Sequence, residues 1–137
     1  MASPTSADFL FWFPECCFEG IVKPIKHAKV YYRAVASTIE LTRKDFTPLA
    51  LQNRNAVNPK CSKQKLCGKY GVSLFSDINV LKNKIDTLPN FSGGKHIAKC
   101  IIDSNSGYAT DEVKISTHIN WYPFANYYPE ERFEIVI

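Results

Sequence analysis

The chain has 137 residues, 45 % of them hydrophobic, which excludes a disordered or low-complexity polypeptide. A single domain of this length buries roughly 68 % of its unfolded surface. Net charge is +4 and unevenly placed: residues 43–69 hold Arg43, Lys44, Arg54, Lys60, Lys63, Lys65 and Lys69 against Asp45, whereas residues 103–137 hold Lys114 and Arg132 against six acids. That asymmetry makes the basic 43–69 segment either a solvated loop or a patch for an acidic or nucleic-acid partner.

In chain order, residues 1–7 read as a flexible tail without a basic leader region, and residues 8–137 as one domain. The run Phe9–Phe13 is too short for a signal core or a membrane span, so no membrane partner and a cytoplasmic location are expected. Five cysteines, an odd count with no regular framework, point the same way, to reduced thiols. Cys16 and Cys17 follow the apolar run and read as packing.

Lys29–Val35 is a strand. Thr42 followed by Asp45 three residues on is a helix-start pattern leading into Phe46. Residues 52–69 form a long polar loop, of the kind that is functional or mobile in a small domain. Residues 71–75 are the next strand, and Ile78, Leu81, Ile85 and Leu88 at helical spacing predict an amphipathic helix over 77–88, capped by Ser76 or Asp77. Residues 90–94 form a turn, 96–103 a central strand and 104–107 another turn. From Glu112 to Tyr122 the pattern alternates, with Val113, Ile115, Thr117, Ile119 and Trp121 on one face and Lys114, Ser116, His118 and Asn120 on the other. An aromatic loop leads to a last strand, Arg132–Ile137, whose Ile-Val-Ile ending is expected to be buried. The high aromatic content, 13 %, supports sheet. The fold class is α+β: a single domain with a mainly antiparallel sheet of five to six strands and two short helices.

Few polar groups on these strands carry chemistry. Arg33 sits between Tyr31 and Val35 on one strand face, as a structural ion or as a clamp for phosphate or carboxylate. Ser73 and Ser76 bracket a tight strand-to-helix passage that is either a plain cap or an approach for an anion. His118 shares its face with Ser116 and Asn120. Glu130, Glu131 and Glu134 cluster before the last strand. Zinc is not expected: Cys61 and Cys67 lie outside knuckle spacing, and His96 and Cys100 on one strand face stand about 13 Å apart.

The arginine in Val-Tyr-Tyr-Arg-Ala-Val, the serines in Gly-Val-Ser-Leu-Phe-Ser and the acids in Glu-Glu-Arg-Phe-Glu occur in an order that resembles the ADP-ribosyltransferase fold of the arginine–serine–glutamate type. The resemblance implies an NAD-dependent transferase acting on a macromolecular acceptor, a toxin or effector of bacterial conflict. It places Arg33 on the NAD pyrophosphate, Ser73 or Ser76 on the ribose, Tyr70 or Tyr31 against nicotinamide, and Glu131 or Glu134 as the catalytic carboxylate. The chain departs from the family in lacking the Ser-Thr-Ser form and the Glu-x-Glu spacing. Two alternatives stand beside it. One is a non-enzymatic protein-binding module using the aromatic loop Trp121–Tyr128. The other is a metal-independent ribonuclease with His118 as general base and Arg33 or Lys114 on phosphate.

Overall fold

The computed structural model describes residues 4–52, 63–88 and 94–137. Seven strands form one sheet: β1 (Lys23–Pro24), β2 (Lys29–Val35), β3 (Val72–Phe75), β4 (His96–Ile102), β5 (Gly107–Ala109), β6 (His118–Pro123) and β7 (Glu134–Ile135). Their spatial order is β1-β5-β6-β3-β2-β4-β7, and every pairing is antiparallel. Among the described residues four short α-helices accompany them, α1 (Leu49–Gln52), α2 (Lys63–Gly68), α3 (Ile78–Thr87) and α4 (Pro129–Arg132), with 3-10 turns at Ser6–Asp8, Glu15–Phe18 and Arg43–Phe46. The α+β class holds; the strand count exceeds the expected five to six because β1, β5 and β7 are only two or three residues long.

Registered partners on neighbouring strands share a face, so the ladder sorts the side chains. One face carries Tyr31, Val35, Val72, Leu74, Ala98, Ile102, Ala109, Ile119 and Trp121, which pack into the main core with Phe46 and Phe133. Phe46 and Phe133 meet at 4.8 Å between ring centres, tilted by 50°, over this face. Trp121 is completely buried, and its indole Nε1 donates to Ser106 Oγ at 3.3 Å. Burying such a ring is worth roughly 3 kcal/mol, and the satisfied N–H removes the penalty that would offset it.

Two separate layers cover the opposite face. Asp77 caps α3 by accepting from the amides of Asn79 and Val80, and the helix presents Leu81 to Ala34, Phe75 and Ile97. Over β5 and β6 lies an aromatic cluster of Phe9, Phe13 and Tyr122 with Phe18, Tyr70 and Phe124 around it. A disulfide between Cys17 and Cys67 pins this N-terminal layer to α2 across 50 residues of sequence. The expectation of reduced thiols is therefore corrected for these two cysteines. Spacing carries no information about two sulfurs brought together by tertiary packing.

Three other expectations are revised. The alternation from Glu112 does not continue as one strand. Thr117 takes a left-handed conformation (φ 58°), and hydrogen bonds from Val113 N to His118 O and from Thr117 N to Val113 O close a turn. The pattern thus switches phase at Thr117, and Ile115 is 93 % exposed at the tip instead of joining the Ile119 face. The last strand is cut to β7 because Pro129 starts α4, and Ile137 is 47 % exposed instead of buried. Ser6 is buried and donates from both N and Oγ to Glu15 at 2.8 Å. Phe9–Phe13 is neither strand nor helix beyond a single bridge from Phe9 to Phe124. All of the predicted turn at 90–94 but Gly94, and most of the long polar loop, with Arg54, Lys60 and Cys61, lie outside the described residues.

Candidate functional site

Strand β2 pairs with β4 along its whole length, from Lys29↔Ile102 to Val35↔His96, but with β3 only at Tyr32↔Phe75. Beyond that pair β2 and β3 part, and the backbone groups between them need other partners. Arg33 supplies them. Its Nη1 donates to the Ser73 carbonyl at 2.9 Å and its Nε to the Asp45 carbonyl at 2.7 Å, while the guanidinium lies 5.9 Å from the Phe46 ring centre. One side chain thus bridges the gap between two strands and the turn at Arg43–Phe46.

That turn is held by Asp45. Its carboxylate accepts from the amides of Ala36 (3.1 Å), Ser37 (3.2 Å) and Thr42 (2.9 Å) and from Ser37 Oγ (2.6 Å). Burial works against the carboxylate, but the hydrogen bonds from Ser37, Thr42 and Ala36 outweigh it and hold its pKa below the ordinary aspartate range. The Thr42-to-Asp45 pattern visible in the sequence is this capping arrangement. Burial pulls the Arg33 guanidinium down to about 10, with the Asp45 charge acting the other way, so Arg33 remains a cation at neutral pH. Among the described residues both of its hydrogen-bond partners are neutral carbonyls, and no carboxylate pairs with it.

Beside the parted strands lie two cavities, or lobes, that share Arg33 and Ser73 in their walls. The smaller, about 310 Å³, is lined also by Ala34, Phe75, Lys84, Ser116 and His118. The larger, about 530 Å³, runs past Thr42, Lys44, Thr47, Gln52 and Lys69. Its floor depends on Gly71: a Cβ there would come within 2.8 Å of Asn120 Cβ and 2.9 Å of the Tyr122 ring. In the small lobe the His118 ring lies 5.1 Å from Phe75, and Lys84 Nζ 5.9 Å from the same ring. Burial, and then the charge of Lys84, lower the His118 pKa below 6.5, so the imidazole is neutral at physiological pH.

Of the residues singled out by sequence, Arg33, Ser73 and His118 therefore meet in one cleft, and the others do not. Glu134 lies on the edge strand β7, beyond β4 and roughly 10 Å of sheet from β2. Its carboxylate is 3.7 Å from Lys99 Nζ and faces a different cavity of about 690 Å³, beside Cys100, Tyr127 and Arg132. Glu131 is exposed on α4, and Glu130 pairs with Arg43 at 2.8 Å. The arginine–serine–glutamate constellation is thus not assembled in one cleft.

Tyr70 packs edge-on against Trp12 at 5.4 Å and does not line the cleft. Tyr31 donates its hydroxyl to Glu112 at 2.8 Å, near the opposite end of β2 from the parted strands. Ser76 is not among the lining residues either; its amide donates to the Thr117 carbonyl at 3.0 Å. In the aromatic loop Trp121 and Tyr122 are core residues, so of the aromatic rings in the expected protein-docking surface Phe124, Tyr127 and Tyr128 reach solvent. Of the basic segment, Lys44 and Lys69 line the larger lobe. The alternative phosphate ligand Lys114 stands exposed on the Thr117 turn.

Sequence reasoning missed Lys84, and it named Ser116 only as a face neighbour of His118. Lys84 carried a signal, since it follows Leu81 by three residues and so borders the apolar stripe of α3. Ser116 stands beside His118 as the alternation suggested, although it lies in the turn before Thr117 and not on a strand. Scans of family models, of curated proteins and of solved structures match nothing to this chain. Among the described residues no helix is long and apolar enough to cross a membrane.

Proposed function

We propose that this chain is a small NAD-binding effector that transfers ADP-ribose to a macromolecular acceptor, with His118 standing where the resemblance calls for a glutamate. The observation that carries the reading is Arg33: a half-buried cation in a cleft, held by two carbonyls with no ion-pairing carboxylate among the described residues. Such a group gains most from an anion that brings its own charge, and the planar guanidinium suits a phosphate. The two lobes flank Arg33, which suits a ligand with a central pyrophosphate and an arm on each side. Both the pyrophosphate and the two arms belong to a dinucleotide.

In the smaller lobe a neutral His118 accepts a proton from a ribose or acceptor hydroxyl, which an imidazolium cannot do. Ser73 and Ser116 offer hydroxyls beside it, and Lys84 adds a second cation. A ribonuclease would use the same His118 with Arg33 and Lys84 on phosphate, and it is separated by its indifference to NAD. On compartment, the buried Cys17–Cys67 bridge favours an oxidising environment over the cytoplasm.

The test is nicotinamide release from NAD by the purified chain. Wild type is expected to release it, His118→Ala to lose about 100-fold or more, and Glu134→Ala to match wild type. The His118 pKa is lowered, so the rate is flat above about pH 6.5 and falls only as acid protonates the ring. RNA cleavage without NAD, lost in His118→Ala, would replace the transferase by a nuclease. Loss in Glu134→Ala with retention in His118→Ala would overturn the assignment of His118.

A further inference from the structure

The buried Cys17–Cys67 disulfide has a third sulfur beside it. Cys16 is exposed and free, and the Sγ atoms of Cys16, Cys17 and Cys67 all lie within 4.8 Å of one another. Cys17 and Cys67 are themselves completely buried, so an external thiol has no direct path to either sulfur. Cys16 and Cys17 are neighbours in the Glu15–Phe18 turn, on the protein surface and in the core respectively.

We propose that these three cysteines form a thiol–disulfide exchange site in which Cys16 opens the buried bridge to small thiols from solution. The Cys16 thiolate attacks Sγ of Cys67. The Cys16–Cys67 bond forms, the Cys17–Cys67 bond breaks, and its electron pair leaves on Cys17 Sγ, which takes up the proton that Cys16 gave. Attack on Cys17 instead would join adjacent residues in a tight ring, so Cys67 is the favoured target. No oxidant or reductant is consumed, because this step is an isomerisation. The new bridge has its Cys16 sulfur at the surface, where glutathione attacks it, forms a mixed disulfide and releases Cys67 as thiolate; a second glutathione completes the reduction. Cys67 is the penultimate residue of α2, and Lys69 just beyond it lines the larger lobe of the cleft, so the exchange acts on an element that shapes that lobe. The inference does not depend on what the cleft binds.

The experiment uses the full chain carrying Cys61→Ser and Cys100→Ser, with and without Cys16→Ser. Each protein is held at pH 8 with or without reduced glutathione, quenched with iodoacetamide and mapped by fragmentation mass spectrometry. With Cys16 present, a Cys16–Cys67 cross-link with alkylated Cys17 is expected without glutathione. Glutathione should then open the bridge at least about tenfold faster than in the Cys16→Ser protein. Equal opening rates in the two proteins, or Cys17–Cys67 as the sole cross-link after incubation, would overturn the proposal.

Discussion

Strand β2 has two unlike edges. Towards β4 it is bonded along all seven residues, and this seam is backed by Ile97, Ala98 and Ile102, each fully buried. Towards β3 it makes one registered pair and then opens, and the opening is bridged by an arginine and framed by a buried aspartate, serines and a histidine. The same strand supplies a structural seam and a cleft although Tyr31, Arg33 and Val35 share one face: Tyr31 and Val35 pack into the core, whereas the long Arg33 side chain reaches past them to the Ser73 and Asp45 carbonyls across the gap. A closed ladder satisfies its backbone without side chains, while an open one must recruit polar groups, and recruited polar groups are what a ligand can use.

Substitutions separate the two edges. On the closed side, Ile102→Ala is expected to cost about 3–4 kcal/mol in denaturant unfolding, because it leaves a cavity where a fully buried side chain stood. On the open side, Asp45→Ala is expected to cost about 2–3 kcal/mol by releasing the donors of Ala36, Ser37 and Thr42. Asp45 also adds an acid signature. Its folded pKa is depressed below 3.8, so its stabilisation is complete above that value and is lost as pH falls through the folded pKa. Acid titration of wild type should therefore show a loss of stability below about pH 4 that Asp45→Asn lacks. Arg33→Met leaves the Ser73 and Asp45 carbonyls without their donor and is expected to cost about 1–2 kcal/mol, less than either change above. The smallest effect belongs to Glu134→Ala, within about 0.5 kcal/mol, since its pairing with Lys99 is long and solvent-exposed. If Arg33→Met destabilised more than Ile102→Ala, the open edge would be as structural as the closed one and the distinction would fail.

The closed edge was the more legible in the sequence. Lys29–Val35 and His96–Ile102 announce themselves by dense β-branched and apolar residues, and the α3 stripe with its Asp77 cap follows from period and chemistry alone. The cleft was legible only as residue types. Arg33, Ser73 and His118 stood out as polar groups on apolar strands, but their meeting depends on β3 lying between β2 and β6, which no local pattern encodes. Glu134 was chosen on chain order, and the edge position of β7 removes it from the cleft. The alternation through Thr117 looks continuous in sequence although a single left-handed residue breaks it, yet His118 keeps both expected neighbours, Asn120 on its strand face and Ser116 in its cavity. The disulfide was invisible because its two halves lie 50 residues apart, in segments with no shared pattern.

Titration of NAD into wild type, Arg33→Met and Glu134→Ala, each first shown to be folded by circular dichroism, tests most directly whether the open edge of β2 is a ligand site. Wild type and Glu134→Ala should bind with equal affinity, inorganic pyrophosphate should compete, and Arg33→Met should bind at least about tenfold more weakly, the loss expected for a charge-assisted phosphate contact. Equal binding by wild type and Arg33→Met, or weakening confined to Glu134→Ala, would contradict the account and leave Arg33 as no more than a bridge between strands.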